Sequence, residues 1–228
     1  MNMFGKRILV VAAHPDDEIL GCGATLAKFV RAGKTVTLLL LGEGPMARGA
    51  DDAQRERAVT SARAAARQLG ISDVRFCNLP DNRFDTLPLL SIIRLVEEVA
   101  DDVLPDTVVT HHAGDLNIDH QRTHQAVMTA FRPLPTQKPV LLLGFEVLSS
   151  TDYTPSGTFA PFVPNCFVDV ADTLAEKQRA LAEYSEEMRP WPYSRSHEAV
   201  EHLARLRGAN VGLEAAEGFI LYRYIIKA

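Results

Sequence analysis

The sequence predicts an α/β fold, a Rossmann-like three-layer α/β/α sandwich with a mainly parallel sheet. Two observations carry this. Short apolar runs alternate along the chain with longer stretches of helical spacing. The early runs, such as Arg7-Ile-Leu-Val-Val, are apolar on both faces, as parallel strands between two helix layers must be. The 228 residues suffice for one sizeable core, and no repeat or long linker divides them, so residues 1–228 are read as one domain.

Lys6 to Ala13 reads as a buried strand. Ile19 to Ala32 carries apolar residues at helical spacing, and Gly33 suits the C-cap. Lys34 to Gly42 is a second buried strand, which completes a β-α-β unit with parallel strands. Asp51 to Leu69 is an Ala- and Arg-rich helix stopped at Gly70, followed by a strand at Asp73–Leu79 and a loop, PDNRFD. A helix at Leu87–Val103, a strand at Asp106–His112 and the loop AGDLNIDH come next, then a helix from about Gln121 to Phe131. Pro139 to Leu148 reads as a strand, and residues 151–165, with Pro155, Gly157, Pro161 and Pro164, as an irregular excursion. Cys166–Val170 (strand), Leu174–Met188 and Ser196–Arg207 (helices) and Gly218–Ile226 (strand) complete the pattern.

Composition narrows the function classes. Hydrophobic residues make up 46% and charged residues 23%, as in ordinary soluble proteins. The net charge of −5 argues against a nucleic-acid partner. Three scattered cysteines, Cys22, Cys77 and Cys166, fit reduced thiols in a cytoplasmic protein better than metal ligands. The N-terminal stretch lacks the pattern of a signal peptide. The longest apolar run, Val36 to Leu41, falls far short of the roughly 20 residues of a membrane span.

The chemistry concentrates in AAHPDDEILGCGATLAKF, residues 12–29, where His14, Asp16, Asp17 and Glu18 crowd a strand-to-helix turn. Ligands of doubly wound sheets bind beyond the carboxyl ends of the strands. Three polar loops fall at such ends: HPDDE, LPDNRFD and HHAGDLNIDH. His14 and Asp17 form H-x-x-D, and His111, His112, His120 and His124 are candidates for a third ligand. Two imidazoles and one carboxylate with an open position make a catalytic zinc arrangement, and a cation there would offset the repulsion within HPDDE. The same donors suit other divalent transition metals. If Asp17 is a ligand, Asp16 is free to act as general base toward water acidified by the ion. The competing reading makes Asp16 an N-cap, with Asp17 and Glu18 favoured by the helix dipole. GCGATLAKF lacks G-x-G-x-x-G and follows an acidic motif, which excludes a pyrophosphate loop.

AAHPDDEILGCGATLAKF, with LPDNRFD, THHAGDLNIDH, FEVLSS and RGANVGLEAAEGF, resembles the PIG-L/LmbE-like zinc-dependent N-deacetylases over most of the chain. The resemblance implies an LmbE-like fold, with zinc held by His14, Asp17 and His120 and with Asp16 as general base. It places Asp119 on an aspartate that braces a catalytic histidine. That histidine is Asn117 here, which is either an oxyanion donor or the residue of an Asx turn. An amide is no general acid, so either Asp16 returns the proton to the leaving amine or a different residue, such as His112 or His124, supplies it. Arg55, or the neighbouring Arg57, and Asn82 with Arg83 are candidate substrate contacts. Trp191, Tyr193 and Arg195 are a candidate lid or a loop anchor, and His197 and His202 are surface residues. The implied activity is removal of an acetyl group from an N-acetylated amino sugar or its conjugate. The alternatives are cleavage of a larger amide of a sugar–thiol conjugate and a non-catalytic sugar- or nucleotide-binding module. The implied partner is a small glycoconjugate, and homo-oligomers are common in the resembling family.

Overall fold

In order along the chain lie β1 (Arg7–Ala12), α1 (Asp17–Arg31), β2 (Thr35–Gly42), α2 (Asp52–Gln68), β3 (Asp73–Leu79), α3 (Leu89–Val103) and β4 (Thr107–His111). They continue with α4 (Ile118–Ala130), β5 (Leu141–Phe145), β6 (Cys166–Asp169), α5 (Leu174–Ala182), α6 (His197–Ala209) and β7 (Ala216–Arg223). The computed structural model describes residues 2–42, 44, 52–135, 138 and 140–226. The expected helix start at Asp51 and strand start at Pro139 lie outside these residues.

The seven strands form one sheet in the order β3-β2-β1-β4-β5-β7-β6. β1 to β5 are parallel, and β7 pairs antiparallel with both β5 and β6. The winding therefore reverses between β1 and β4, and a crevice opens beyond their carboxyl ends. Successive side chains of a strand point to opposite faces. Ile8, Val10, Leu38 and Leu40 accordingly feed a core under α1, α2, α5 and α6. Leu9, Val11, Leu39 and Leu41 feed a second core under α3 and α4. The expected three layers and mainly parallel sheet are present. Among the described residues, no helix is long and apolar enough to cross a membrane.

Several boundaries differ from expectation, two of them at the crevice. α1 starts at Asp17, so the acidic residues sit in its first turn instead of a preceding loop. α4 starts at Ile118, because the Asn117 side chain accepts the Asp119 amide and caps the helix three residues early. Asp119 and His120 thus belong to a rigid first turn. α5 stops at Ala182, and β5 spans five residues.

At the opposite end, Asp106 ties β1 to β4. Its Oδ2 accepts the amides of Lys6 and Arg7, each at 2.9 Å, and its Oδ1 meets Lys138. Burial opposes ionisation, but Lys138 and the two amides outweigh it and hold the carboxyl down at about 2, from 3.8. A lowered folded pKa stabilises above the unfolded value and is lost as pH falls through the folded one. The urea midpoint of Asp106→Asn should therefore lie below wild type at neutral pH and converge on it as the pH approaches 2. A deficit independent of pH would contradict this.

Candidate active site

The turn after β1 is held open for chemistry. Asp16 adopts φ 105°, ψ −33°, a conformation that costs a non-glycine residue on the order of 1–3 kcal/mol. Asp16 stands at the N-cap position of α1, its carbonyl accepting the Ile19 and Leu20 amides, but its side chain makes no capping hydrogen bond. Instead Arg195 Nη1 donates to Asp16 Oδ2 at 2.6 Å, and Arg195 Nε donates to Ser149 Oγ at 2.6 Å. The Asp16 amide donates to Glu18 Oε2, and Tyr184 Oη donates to Glu18 Oε1 at 2.7 Å. Burial pushes the Glu18 carboxyl up to about 7. Burial likewise raises that of Asp16 well above 3.8, against the opposing charge of Arg195.

Asp17 is fully buried, and imidazoles surround its Oδ2: His14 Nδ1 at 3.3 Å, His120 Nε2 at 3.2 Å and His111 Nε2 at 3.6 Å. Burial alone would raise the Asp17 pKa, but His120 and His14 outweigh it and hold the carboxyl well below the usual range. Conversely, burial would lower the pKa of His14, yet Asp119, Asp17 and Asp81 raise it well above 6.5. His120 is pushed up to about 9 by Asp17 and Asp115 despite its burial.

A divalent ion fits the same place. Donor atoms of His14, Asp17 and His120 lie within 4.8 Å of one another. Two of the buried polar atoms there, Asp17 Oδ1 and His120 Nε2, have no hydrogen-bond partner. Two other clusters, His111/Asp115/His120 and His14/Asp81/Asp119, meet the same distance criterion. In those clusters Asp115 and Asp119 accept several hydrogen bonds, whereas Asp17 Oδ2 accepts the His14 amide at 2.9 Å and Asp17 Oδ1 accepts none. Asp115 accepts Asn117 N, Ser150 Oγ and Thr151 Oγ1 and faces His120 Nδ1 at 3.2 Å. Asp119 accepts the amides of Asn82 at 2.6 Å and Phe84 at 2.9 Å and lies 3.0 Å from His14 Nε2. Asp81 Oδ1 is 3.1 Å from the same nitrogen. Carboxylates behind a ligating imidazole orient it and raise its basicity. Asp115 and Asp81 are the residues that sequence reasoning missed. Both lie inside motifs singled out for other members, and a carboxylate near a candidate ligand was the available signal.

The brace also corrects an expectation. Asp119 supports His14 and not the side chain at position 117, whose amide oxygen accepts the Asp119 amide at 2.8 Å. The Asn117 Nδ2 donates to Asn82 Oδ1 at 3.3 Å, and both asparagines line a cleft of about 410 Å³ with His14, Asp16, Tyr193 and Arg195. Arg55 is half-buried on α2 and is not among the residues lining this cleft. Arg57 pairs with Glu186 beside a neighbouring cleft, and Arg83 is exposed outside the lining. Trp191 packs edge-on against His202, so of the expected lid only Tyr193 and Arg195 reach the cleft.

The remaining histidines are engaged elsewhere. His111 Nε2 accepts the Ala13 amide at 2.8 Å, and burial with the nearby His120 keeps the ring neutral. His112 donates from Nε2 to the Ala160 carbonyl and contacts Tyr222 Oη through Nδ1. His124 donates to the His111 carbonyl at 2.9 Å. Neither His112 nor His124 lines the cleft. Gly42 lets β2 close on this turn, since a Cβ there would meet Ala13 O at 2.8 Å.

Residues 9–131 match the PIG-L family, described as GlcNAc-PI de-N-acetylase. The chain belongs to this family. It is 32% identical over 173 residues to an uncharacterized deacetylase, YaiS, of Escherichia coli K12, covering 73% of this chain and 83% of that one. It is 31% identical over 160 residues to the 1D-myo-inositol 2-acetamido-2-deoxy-alpha-D-glucopyranoside deacetylase of Kineococcus radiotolerans, covering 55% of this chain and 44% of that one. The chain therefore spans less than half of that relative. Solved structures share the fold. The N,N'-diacetylchitobiose deacetylase of Pyrococcus horikoshii superposes with a TM-score of 0.77 at 21% identity, covering 96% of this chain and 85% of that one. The 4-carboxy-2-hydroxymuconate hydratase GalB of Pseudomonas putida does so with a TM-score of 0.77 at 21% identity over 98% of both chains.

Asp119→Ala should orphan the Asn82 and Phe84 amides and release His14, at a cost of about 1–3 kcal/mol per orphaned amide. Asp119→Asn, which keeps one acceptor, should fall between it and wild type in urea unfolding. An alanine variant as stable as wild type would show that the brace contributes nothing.

Proposed function

We propose that the chain is a zinc-dependent N-deacetylase of an N-acetylated amino sugar or its conjugate. The observation that carries this reading is the division of labour between adjacent carboxylates: Asp17 lies among the imidazoles, and Asp16 is turned away from them onto Arg195. A binding protein has no use for a second carboxylate held in a strained backbone. Family membership and the sugar substrates in the relatives' names support the bond type and the substrate class. The cleft is lined mainly by polar side chains, as sugar hydroxyls require, and its 410 Å³ falls within the roughly 300–1,000 Å³ of small-molecule sites.

His14, Asp17 and His120 would hold zinc, which when bound polarises an acyl carbonyl and acidifies water. Asp16 accepts the proton of the attacking water. Arg195 occupies Asp16 Oδ2, and we assign the transfer to Oδ1. The tetrahedral oxyanion needs a donor besides the ion, and Asn117 Nδ2 at the cleft wall serves once substrate displaces its contact with Asn82. Asp16 then returns the proton to the nitrogen as the C–N bond breaks, giving acetate and a free amine. A carboxyl that burial raises above its ordinary range is suited to carry a proton between the two.

GalB, a hydratase, has the same fold, so the fold alone does not decide between amide hydrolysis and water addition to a carbon–carbon double bond. A screen of N-acetylated sugars and glycoconjugates separates them. Stoichiometric amine and acetate, abolished by chelator and restored by zinc, is the expected result. Release of a larger acid with the amine would mean a broader amidase. Asp16→Asn should lower kcat about 10²–10⁴-fold. Wild-type turnover in that variant would end the mechanism.

A further inference from the structure

We infer that the buried Lys177–Glu217 ion pair is a positioning device for the metal-ligand turn: it fills a break in α1 and so sets the short first segment that carries Asp17. The inference rests on the proposed reading of His14, Asp17 and His120 as ligands.

α1 is interrupted. Cys22 has φ −147°, ψ 16°, outside the helical range, so the segment Asp17–Gly21 and the segment beginning at Gly23 are separate pieces of helix. Just past the break lie the amides of Ala24 and Thr25. These amides donate to Glu217, at 3.1 Å to Oε1 and 2.7 Å to Oε2. The Leu20 carbonyl, on the other side of the break, accepts from Lys177 Nζ at 2.7 Å. Lys177 and Glu217 also bond each other at 2.7 Å, with side chains only 5% and 4% exposed. One ion pair therefore serves both ends of the break. Lys177 comes from α5 and Glu217 from β7, so three elements meet where the helix changes direction.

A continuous α1 would satisfy these groups by itself, whereas the broken one needs two buried charges. What the break provides is an independently set first segment. A Cβ on Gly21 would lie 2.2 Å from Phe145 Cδ2, so that segment lies close against β5, the strand beside His111. Its first residue, Asp17, is thereby brought to the imidazoles of His14, His111 and His120. Lys177 and Glu217 touch none of the proposed ligands and act through the backbone of α1.

The test compares zinc affinity, by competition with a chromophoric chelator, in wild type, Lys177→Met, Glu217→Gln and the double variant. Leu69→Ala, a cavity in the core at the far end of α2, controls for lost stability. The charge variants should bind zinc about tenfold weaker, the low end of the loss for groups that bond a ligand directly, since these act through the backbone of α1. Leu69→Ala should bind as wild type does. Zinc affinity unchanged in folded charge variants would overturn the inference. Absence of zinc binding to wild type would instead sink the ligand assignment. A measurement that needs no variant is amide exchange in the wild-type protein. By linkage, zinc should slow exchange at Ala24 and Thr25 more than at Ala66 in α2, and equal slowing at all three would also overturn it.

Discussion

A single carboxylate oxygen organises the crevice. Asp17 Oδ2 lies within 3.6 Å of nitrogen atoms from three imidazoles, two of them contributed by β4 and α4 from the other side of the topological switch. Burying it without compensation would be prohibitive, since a desolvated charge must be paired or must coordinate a cation. The two halves of the sheet meet at this oxygen, and the surrounding structure reads as its support. Asp81 and Asp119 stand behind His14, and Asp115, itself held by Ser150 and Thr151, stands behind His120.

Asp16 is governed by the opposite requirement, to stay off that centre while remaining next to it. The positive φ turns its side chain away from the helix cap and toward Arg195, which the long segment after α5 returns to the cleft. Neighbouring residues in sequence thus receive contrary environments. Asp17 sits among imidazoles that favour its charge, and Asp16 sits in a buried position that disfavours its own. Such divergence between adjacent carboxylates separates a ligand from a proton carrier.

The arrangement also bears on the missing histidine at position 117. Asn117 caps α4, and in doing so pulls the helix start back to Ile118, which sets Asp119 and His120 in the first turn. Its role in positioning two site residues is independent of any contact with substrate. The remaining donor, Nδ2, faces Asn82 across the cleft.

Much of this was legible in the order of residues. Alternating apolar runs determined the layers and the parallel core of the sheet, because burial on both faces leaves no other pattern for a central strand. The His14–Asp17 spacing was open to reading because residues three apart at a strand-to-helix turn can point the same way, whereas His120 was one of four histidine candidates until the family resemblance singled it out. Tertiary structure alone decided the rest. That Arg195, far along the chain, meets Asp16, and that Asp119 serves His14 and not position 117, depend on long-range packing that no local spacing encodes. The same is true of Lys177 and Glu217, two charges 40 residues apart that meet, buried, in the break of α1. Local periodicity sets which faces of a strand or helix are buried, but which charges meet at the crevice is set by how the finished sheet brings its loops together.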